Sequence, residues 1–489
     1  MLSKWSSSCT RISQRWVFAI MAFLGLWLGN GLRVALSITI TEMTVPIAEA
    51  THQLDDTCAT IEKPVLKNVT TTDTDYLYDW DEYTQSFLHS LQGIVLSSYF
   101  VGYVIMHFPA GFLSERYGGK HFLGMSVIVP SVLTFFTPMG LKYGGATALT
   151  IMRSLMGLAG GAMYPAVSAM LPRWSAPIER TKFGSFVYSG GMFGTVCGNT
   201  IAALIISYSG SGWPAVFYIF GAVGMLWFPL WMVLCYNSPK KHPFISETEL
   251  KYLQETSERK QKPPPAPYGH IFRSMPMWAF VTALFGVDWI YFTMATDLPK
   301  YMSSVVKFSI EDNGYLSSLP HLGGWMSSIC SFWILDYIVG RKWLKLGSTR
   351  KLMAVVSLIG PAIFVLGASY AECDQVMVVM MFVVGVTLLG ASYPAIVVNS
   401  MDLSPNYSGT LMAIGNSFAA LGGIFTPYVV GILTPNQTIA EWRIAFWIVF
   451  ATAVLSCMFF LVFGSVEVQP WNDPDFLKNE GKKRDLEST

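Results

Sequence analysis

Along this chain, runs of mostly apolar residues alternate with short breaks rich in charge, Pro, Gly or Asn. Twelve runs reach about the 20 residues that a helix needs to cross a bilayer core of about 30 Å. They lie at approximately 16–41, 87–112, 121–140, 147–171, 183–207, 213–236, 277–300, 313–335, 350–371, 375–401, 408–433 and 443–464. The pattern predicts an all-α membrane protein with twelve transmembrane helices. The first run is too long for a removable signal peptide and has no small-residue cleavage site, so it is expected to stay in the mature chain.

After six runs the series is interrupted by 237–276, which holds Ser246-Glu247-Thr248-Glu249, an acidic helix start, then a basic stretch and Pro263-Pro264-Pro265, where a helix cannot propagate. This reads as a linker between two six-helix halves. The expected organisation is an N-terminal segment 1–15, a first half 16–236 with a long loop at 42–86, the linker 237–276, a second half 277–464 and a tail 465–489.

Composition supports the bilayer as solvent: 52% of the 489 residues are hydrophobic and 13% charged, against about a quarter charged in soluble domains. A formal net charge of +1 gives no footprint for nucleic acid, and none is expected as a partner. Orientation follows from the basic residues. With the N-terminus in the cytosol, 24 of the 32 Lys and Arg fall in inner segments, 6 in outer ones, and Arg33 and Arg153 within spans. That bias puts both termini and the linker in the cytosol. The outer loop 42–86 is acidic and contains Asn68-Val69-Thr70; Asn436-Gln437-Thr438 also falls outside, so Asn68 and Asn436 are glycosylation candidates. Seven cysteines include no Cys-x-x-Cys pair, and no metal site is indicated. Whether Cys58 and Cys373 pair outside stays open.

The break after the second run reads Gly111-Phe-Leu-Ser-Glu115-Arg116-Tyr-Gly118-Gly119-Lys120, and that after the eighth Ile334-Leu-Asp336-Tyr-Ile-Val-Gly340-Arg341-Lys342. An acid near a helix end, followed by bases that reach a neighbour, makes a charge latch for a closed cytosolic face. Glu115, Arg116, Lys120, Asp336 and Arg341 are its candidate members. The same device in both halves suggests duplication, and two such halves around a midplane site describe alternating access.

The first of these segments resembles the major facilitator signature, with Glu115 where Asp is usual. Pro172-Arg-Trp174-Ser-Ala-Pro177-Ile-Glu179-Arg180-Thr-Lys182, Ser317-Ser-Leu-Pro320-His-Leu and Asn399-Ser-Met-Asp402-Leu-Ser-Pro405-Asn-Tyr407-Ser-Gly409 are similar to the anion:cation symporters of that superfamily, the group of sodium-phosphate cotransporters, sialin and vesicular glutamate transporters. The likeness runs over about 16–470 and is greatest to insect inorganic phosphate cotransporter-like members. It implies a major facilitator fold and a monomeric secondary transporter of a small anion, inorganic phosphate or an organic carboxylate, coupled to sodium or protons.

Ionised groups inside the hydrocarbon cost at least about 2.5 to 3.5 kcal/mol, so each is a candidate for function. Arg33, in Gly29-Asn-Gly31-Leu-Arg33, lies about 26 Å along the first span. Its planar fork of donors suits a carboxylate or phosphate, and the resemblance implies substrate binding. Arg153 and Asn416 are further binding candidates. Asp288, near the middle of the seventh span, is the candidate coupling carboxylate, since the relatives' span-4 glutamate is replaced here by Met156 and Gly160. If Asp288 does not couple protons, sodium held by carbonyl and amide oxygens is the alternative. Leu96 and Val287 stand where vesicular glutamate transporters carry His and Arg, so glutamate loading is not expected. No His-Glu-x-x-His, Gly-x-Ser-x-Gly, P-loop or Gly-x-Gly-x-x-Gly motif suggests an enzyme. The runner-up functions are a lysosomal sialin-like proton-driven exporter and an uncoupled channel or receptor of the same fold. Without an acidic dileucine signal, the plasma membrane is expected over lysosomal or vesicular membranes.

Overall fold

The computed structural model describes residues 13–42, 82–208, 212–256, 266–298, 301–302, 305–306, 310–371, 373–434, 438–473 and 476. Asn68, Asn436 and Cys58 lie outside them. Among the described residues, eleven helices are long and apolar enough to cross a membrane, and the shorter apolar helix Gly119–Phe135 brings the count to twelve.

The first half contains α1 (Gln14–Glu42), α2 (Glu82–Tyr117), α3 (Gly119–Phe135), the pair α4 (Thr137–Gly160) and α5 (Met163–Trp174) that together form the fourth crossing, α6 (Arg180–Tyr208) and α7 (Pro214–Leu234). The linker carries α8 (Glu247–Thr256) and α9 (Tyr268–Arg273). The second half contains α10 (Met275–Phe292), α11 (Ile310–Gly340), α12 (Leu346–Ala368), α13 (Gln375–Leu389) with the short α14 (Asn399–Leu403), α15 (Ser408–Leu433) and α16 (Ile439–Phe463).

Local chemistry sets the ends of these helices. Proline stands in the first turn of α4, α7 and α10, where a missing N–H costs nothing. Asp374 caps α13 by accepting from the Met377 N–H at 3.1 Å. Thr438 and Glu441 form a reciprocal capping box on α16, each bond 3.3 Å. The first amides of α1 are capped from a distance: Glu249 of α8 accepts from the N–H groups of Gln14 and Arg15 at 3.0 and 3.1 Å.

Packing reveals the internal repeat. In the first half α1 pairs with α6, α2 with α4, and α3 with α7; in the second, α10 pairs with α15, α11 with α13, and α12 with α16. Counted by crossing, both halves join first to fifth, second to fourth and third to sixth. The halves meet through α2 against α15 and α6 against α11, which exchange roles under the same symmetry. Small residues permit the closest crossing: a Cβ on Gly157 would lie 1.8 Å from the Tyr99 carbonyl oxygen, and one on Gly102 2.1 Å from that of Ser154.

Cys373 is disulfide-bonded; Cys197, Cys235, Cys330 and Cys457 are free. In the linker, His242 is buried against Trp174 and Tyr236. Its Nε2 donates to the Leu234 carbonyl at 3.2 Å and its Nδ1 accepts from the Phe244 N–H at 3.1 Å. Burial lowers its pKa below the ordinary imidazole value.

Two outcomes follow from this packing. Gly157→Ala is expected to lower the thermal midpoint of the purified protein by several degrees, whereas Gly431→Ala, with open space around its Cβ, leaves it unchanged or raises it; differential scanning fluorimetry checks both. His242 binds a proton more weakly folded than unfolded, so its contribution to stability is full above pH of about 6.5 and is lost as pH falls below that value. A midpoint-versus-pH profile of His242→Gln should be flatter than the parent's across that window.

Candidate functional site

Between the halves, where α1, α2, α5, α10 and the end of α13 converge, one cation and one carboxylate sit among tyrosines. Arg33 stands over the Phe100 ring with its guanidinium carbon 5.9 Å from the ring centre. It lies within electrostatic reach of Tyr99, Tyr103, Tyr164 and Tyr291 and of Asp288. The guanidinium donates no hydrogen bond to a described residue, and it makes no ion pair with Asp288. Tyr393 joins the same cluster, within reach of Arg33, Asp288, Tyr164 and Tyr291.

Broken helices expose this cage. The fourth crossing is interrupted at Gly161-Ala162; a Cβ on Gly160 would strike the Tyr99 hydroxyl at 2.6 Å and one on Gly161 the Tyr103 carbonyl oxygen at 2.4 Å. In the seventh and tenth crossings the backbone widens into single π-helical turns at Thr293–Asp297 and Tyr393–Val397. Such turns re-aim side chains and are frequent at functional sites. Tyr291 bridges the halves through a 3.0 Å bond between its hydroxyl and that of Thr195 on α6. The Asn30 amide donates to the Tyr164 hydroxyl at 3.4 Å, tying α1 to α5.

Arg153, a binding candidate, is buried; one guanidinium nitrogen donates to the backbone oxygen of Arg33 at 3.0 Å, and the group stacks 5.5 Å from the centre of Tyr99. It braces α1 behind Arg33. Asn416 is buried on α15 and makes no hydrogen bond with a described residue.

At the linker face, one of the three residues expected in the first latch, Glu115, reaches the other half, and in place of the second a different pair of charges meets. Glu115 accepts from the Thr410 N–H at 2.7 Å and its hydroxyl at 2.8 Å, setting a carboxylate of the first half on the positive N-terminal end of α15 in the second. Lys120 stays within the first half, donating to the Met232 carbonyl at 2.7 Å. Arg116 packs on Phe112 and Tyr117 of its own helix. Asp336 and Arg341 are exposed and make no ion pair with a described residue, and Arg341 lies over its neighbour Tyr337.

In their place Arg350 at the start of α12 forms a buried ion pair with Asp402 of α14 at 2.8 Å. It also donates to the Pro394 carbonyl and, at 3.1 Å, to the Thr181 hydroxyl across the halves. Arg180 donates to the Met401 carbonyl at 3.2 Å, and the Ser408 hydroxyl to the Ser168 carbonyl at 2.7 Å. These polar contacts cross between the halves, and they close the linker face. Tyr164, Tyr393, Thr195 and Arg350 were not singled out from sequence. Arg350 looked like one more inner basic residue, although its partner Asp402 stood in a quoted motif.

Residues 34–427 and 345–486 match the family model of the Major Facilitator Superfamily. Human sialin is 34% identical over 465 residues, covering 94% of this chain and 91% of sialin. A putative inorganic phosphate cotransporter of Drosophila ananassae is 34% identical over 477 residues, 96% of each chain. Vesicular glutamate transporter 3 of Danio rerio is 29% identical, covering 96% of this chain and 76% of its own. Among solved structures, the proton:xylose symporter XylE bound to 6-bromo-6-deoxy-D-glucose superposes with a TM-score of 0.71 at 16% identity, covering 95% of this chain and 98% of XylE.

The rearranged latch makes a direct contrast. Asp402→Ala leaves Arg350 buried without its counter-charge and is expected to destabilise the protein by about 3–5 kcal/mol, while Asp336→Ala at the exposed break changes stability by less than about 0.5 kcal/mol. Thermal midpoints of the two variants, measured side by side, check it.

Proposed function

As the chain belongs to the Major Facilitator Superfamily, and within it to the group of sialin, inorganic phosphate cotransporters and vesicular glutamate transporters, we propose that this multi-pass membrane protein carries a small anion by alternating access, with Arg33 as the anchor. One observation carries the reading: a guanidinium at hydrocarbon depth that gives its donors to no described residue and faces a cage of tyrosine hydroxyls. Such a charge is costly unless a partner arrives. A carboxylate can take the two-pronged fork of Arg33 while the phenols receive its hydroxyl or carbonyl groups.

The cage favours an organic monoanion over phosphate. Arg153 is engaged by the Arg33 carbonyl and the Tyr99 ring, which leaves Arg33 as the cage's cation for cargo. A doubly charged phosphate would be half-compensated there, whereas aromatic walls suit a carbon skeleton.

Asp288 is the coupling residue in this reading. Near Arg33 but not paired with it, its carboxyl group can hold a proton while the anion is bound and release it when the cage empties. Sodium coupling through backbone and amide oxygens is the competing mechanism. The excess of Lys and Arg on the linker side supports cytosolic termini and linker, and we assign the protein to the plasma membrane, with Asn68 and Asn436 as glycosylation sites on the outer side.

The test is uptake of a labelled anion panel (phosphate, urate, sialate, glutamate and simple carboxylates) into proteoliposomes under imposed sodium and proton gradients. The parent is expected to prefer an organic anion and to follow the proton gradient. Arg33→Ala should raise KM by at least about thirtyfold, corresponding to about 2 kcal/mol or more for a truncated charge pair. Asp288→Asn should retain anion exchange and lose the response to the proton gradient. Parent-like transport by Arg33→Ala would overturn the anchor.

A further inference from the structure

Residues 99, 103, 107, 111 and 115 form one ridge of α2 at i, i+4 spacing, which winds gradually around the helix over about 24 Å. Its outer members Tyr99 and Tyr103 belong to the cage around Arg33. Its other end belongs to the gate: a Cβ on Gly111 would lie 2.6 Å from that of Ala413 on α15, and Glu115 holds Thr410. The middle position is His107, fully buried at 0% exposure.

The chemistry of this histidine is fixed by one bond. Its Nδ1 lies 2.8 Å from the Tyr103 carbonyl oxygen, an atom that can only accept, so Nδ1 carries the hydrogen. Nε2 therefore presents a bare lone pair, and that atom is buried with no hydrogen-bond partner. The elements around this helix carry the following titratable and polar groups. Tyr99, Tyr103, Glu115 and Arg116 lie on α2 itself, His121 and Lys120 on α3, Arg153 on α4 and Tyr164 on α5; α10, which meets α2 through Phe292 against Phe100, carries Asp288 and Tyr291, α15 brings the neutral Thr410 and Asn416, and the linker brings Tyr268, stacked on Phe108. Of these, the neutral Tyr103 ring packs on the imidazole with ring centres 4.1 Å apart, and the Tyr103 carbonyl takes its hydrogen bond; among the described residues no charged group acts on it.

An imidazolium at this place would have neither water nor counter-charge, so it is costly while the linker face is closed. Opening that face parts α2 from α15 and lets water in. We propose that His107 is a proton-binding site built into the gate: Nε2 takes up a proton when the linker face opens and gives it back to water when the face closes. The inference rests on the alternating-access reading but not on Arg33, Asp288 or the identity of the cargo. By linkage, a site that binds a proton better in one state draws the population toward that state when protons are abundant. Acid on the linker side thus holds this face open.

Hydrogen–deuterium exchange of the 408–420 peptide, followed by mass spectrometry on the full-length protein in nanodiscs without cargo, reads the opening directly. The parent and the His107→Gln and His107→Asn variants are compared at pH 7.5 and 5.5, with rates corrected for intrinsic chemical exchange. A site that titrates like an ordinary imidazole when open raises the open population about tenfold over that interval. The expected result is this rise in the parent and its absence in both variants. A rise of equal size in the variants would assign the response to Glu115 or another group, and a flat parent would show that no proton enters; either overturns the proposal. Two replacements of different length guard against loss of fold in one, and because no cargo is present, failure of the Arg33 anchor in transport assays leaves this result standing or falling by itself.

Discussion

Hydrocarbon solvates neither an ion nor an open backbone hydrogen bond, and each polar group between the helices of this protein has its position decided by that refusal. Arg350 and Asp402 neutralise each other. Arg153 gives one of its donors to a backbone oxygen and its face to a ring. Glu115 finds a helix terminus. Against that background Arg33 stands apart, because its charge is held in place from behind and left open in front. In the proposed function, the same physics that makes the other charges structural makes this one the anchor for a ligand.

The repeat of helix pairings explains how such a site can serve two sides of a membrane. Each half is tied internally by the same three pairings, while contact between halves is concentrated on α2 with α15 and α6 with α11. The cage is lined from both halves and the Thr195–Tyr291 bond crosses between them. A relative tilt of the halves changes which face is sealed without dismantling either half. The polar contacts at the linker face are few and specific, which suits a surface that has to separate and re-form.

Much of this was legible in the chain, and the reasons differ by feature. The crossings were legible because twenty apolar residues in a row have few other uses, and the observed helix ends fall within several residues of the breaks in the pattern except at the fourth crossing, where α4 begins at Thr137, ten residues before the expected start. Arg33, Asp288 and Glu115 were legible because a charge beside an apolar run is conspicuous. Tyrosine, by contrast, is ordinary in a membrane helix, so Tyr164 and Tyr393 became visible through the helix interruptions that turn them toward Arg33. The second latch misled because sequence analogy favoured the matching turn, Asp336 and Arg341, whereas the pair that forms joins helices whose approach no local pattern encodes. Arg153 was placed correctly along its helix, but its direction depends on a carbonyl 120 residues away in the chain.

The carboxylate of Glu249 carries a mechanical meaning beyond capping. It grips the leading amides of the very helix that bears Arg33, and Arg15 on that helix also reaches Glu179 at 2.5 Å. The short amphipathic segment α8 is consequently a handle welded to the first half rather than slack between two halves. A displacement of that handle is therefore carried into the first turn of α1, the helix that also bears Arg33.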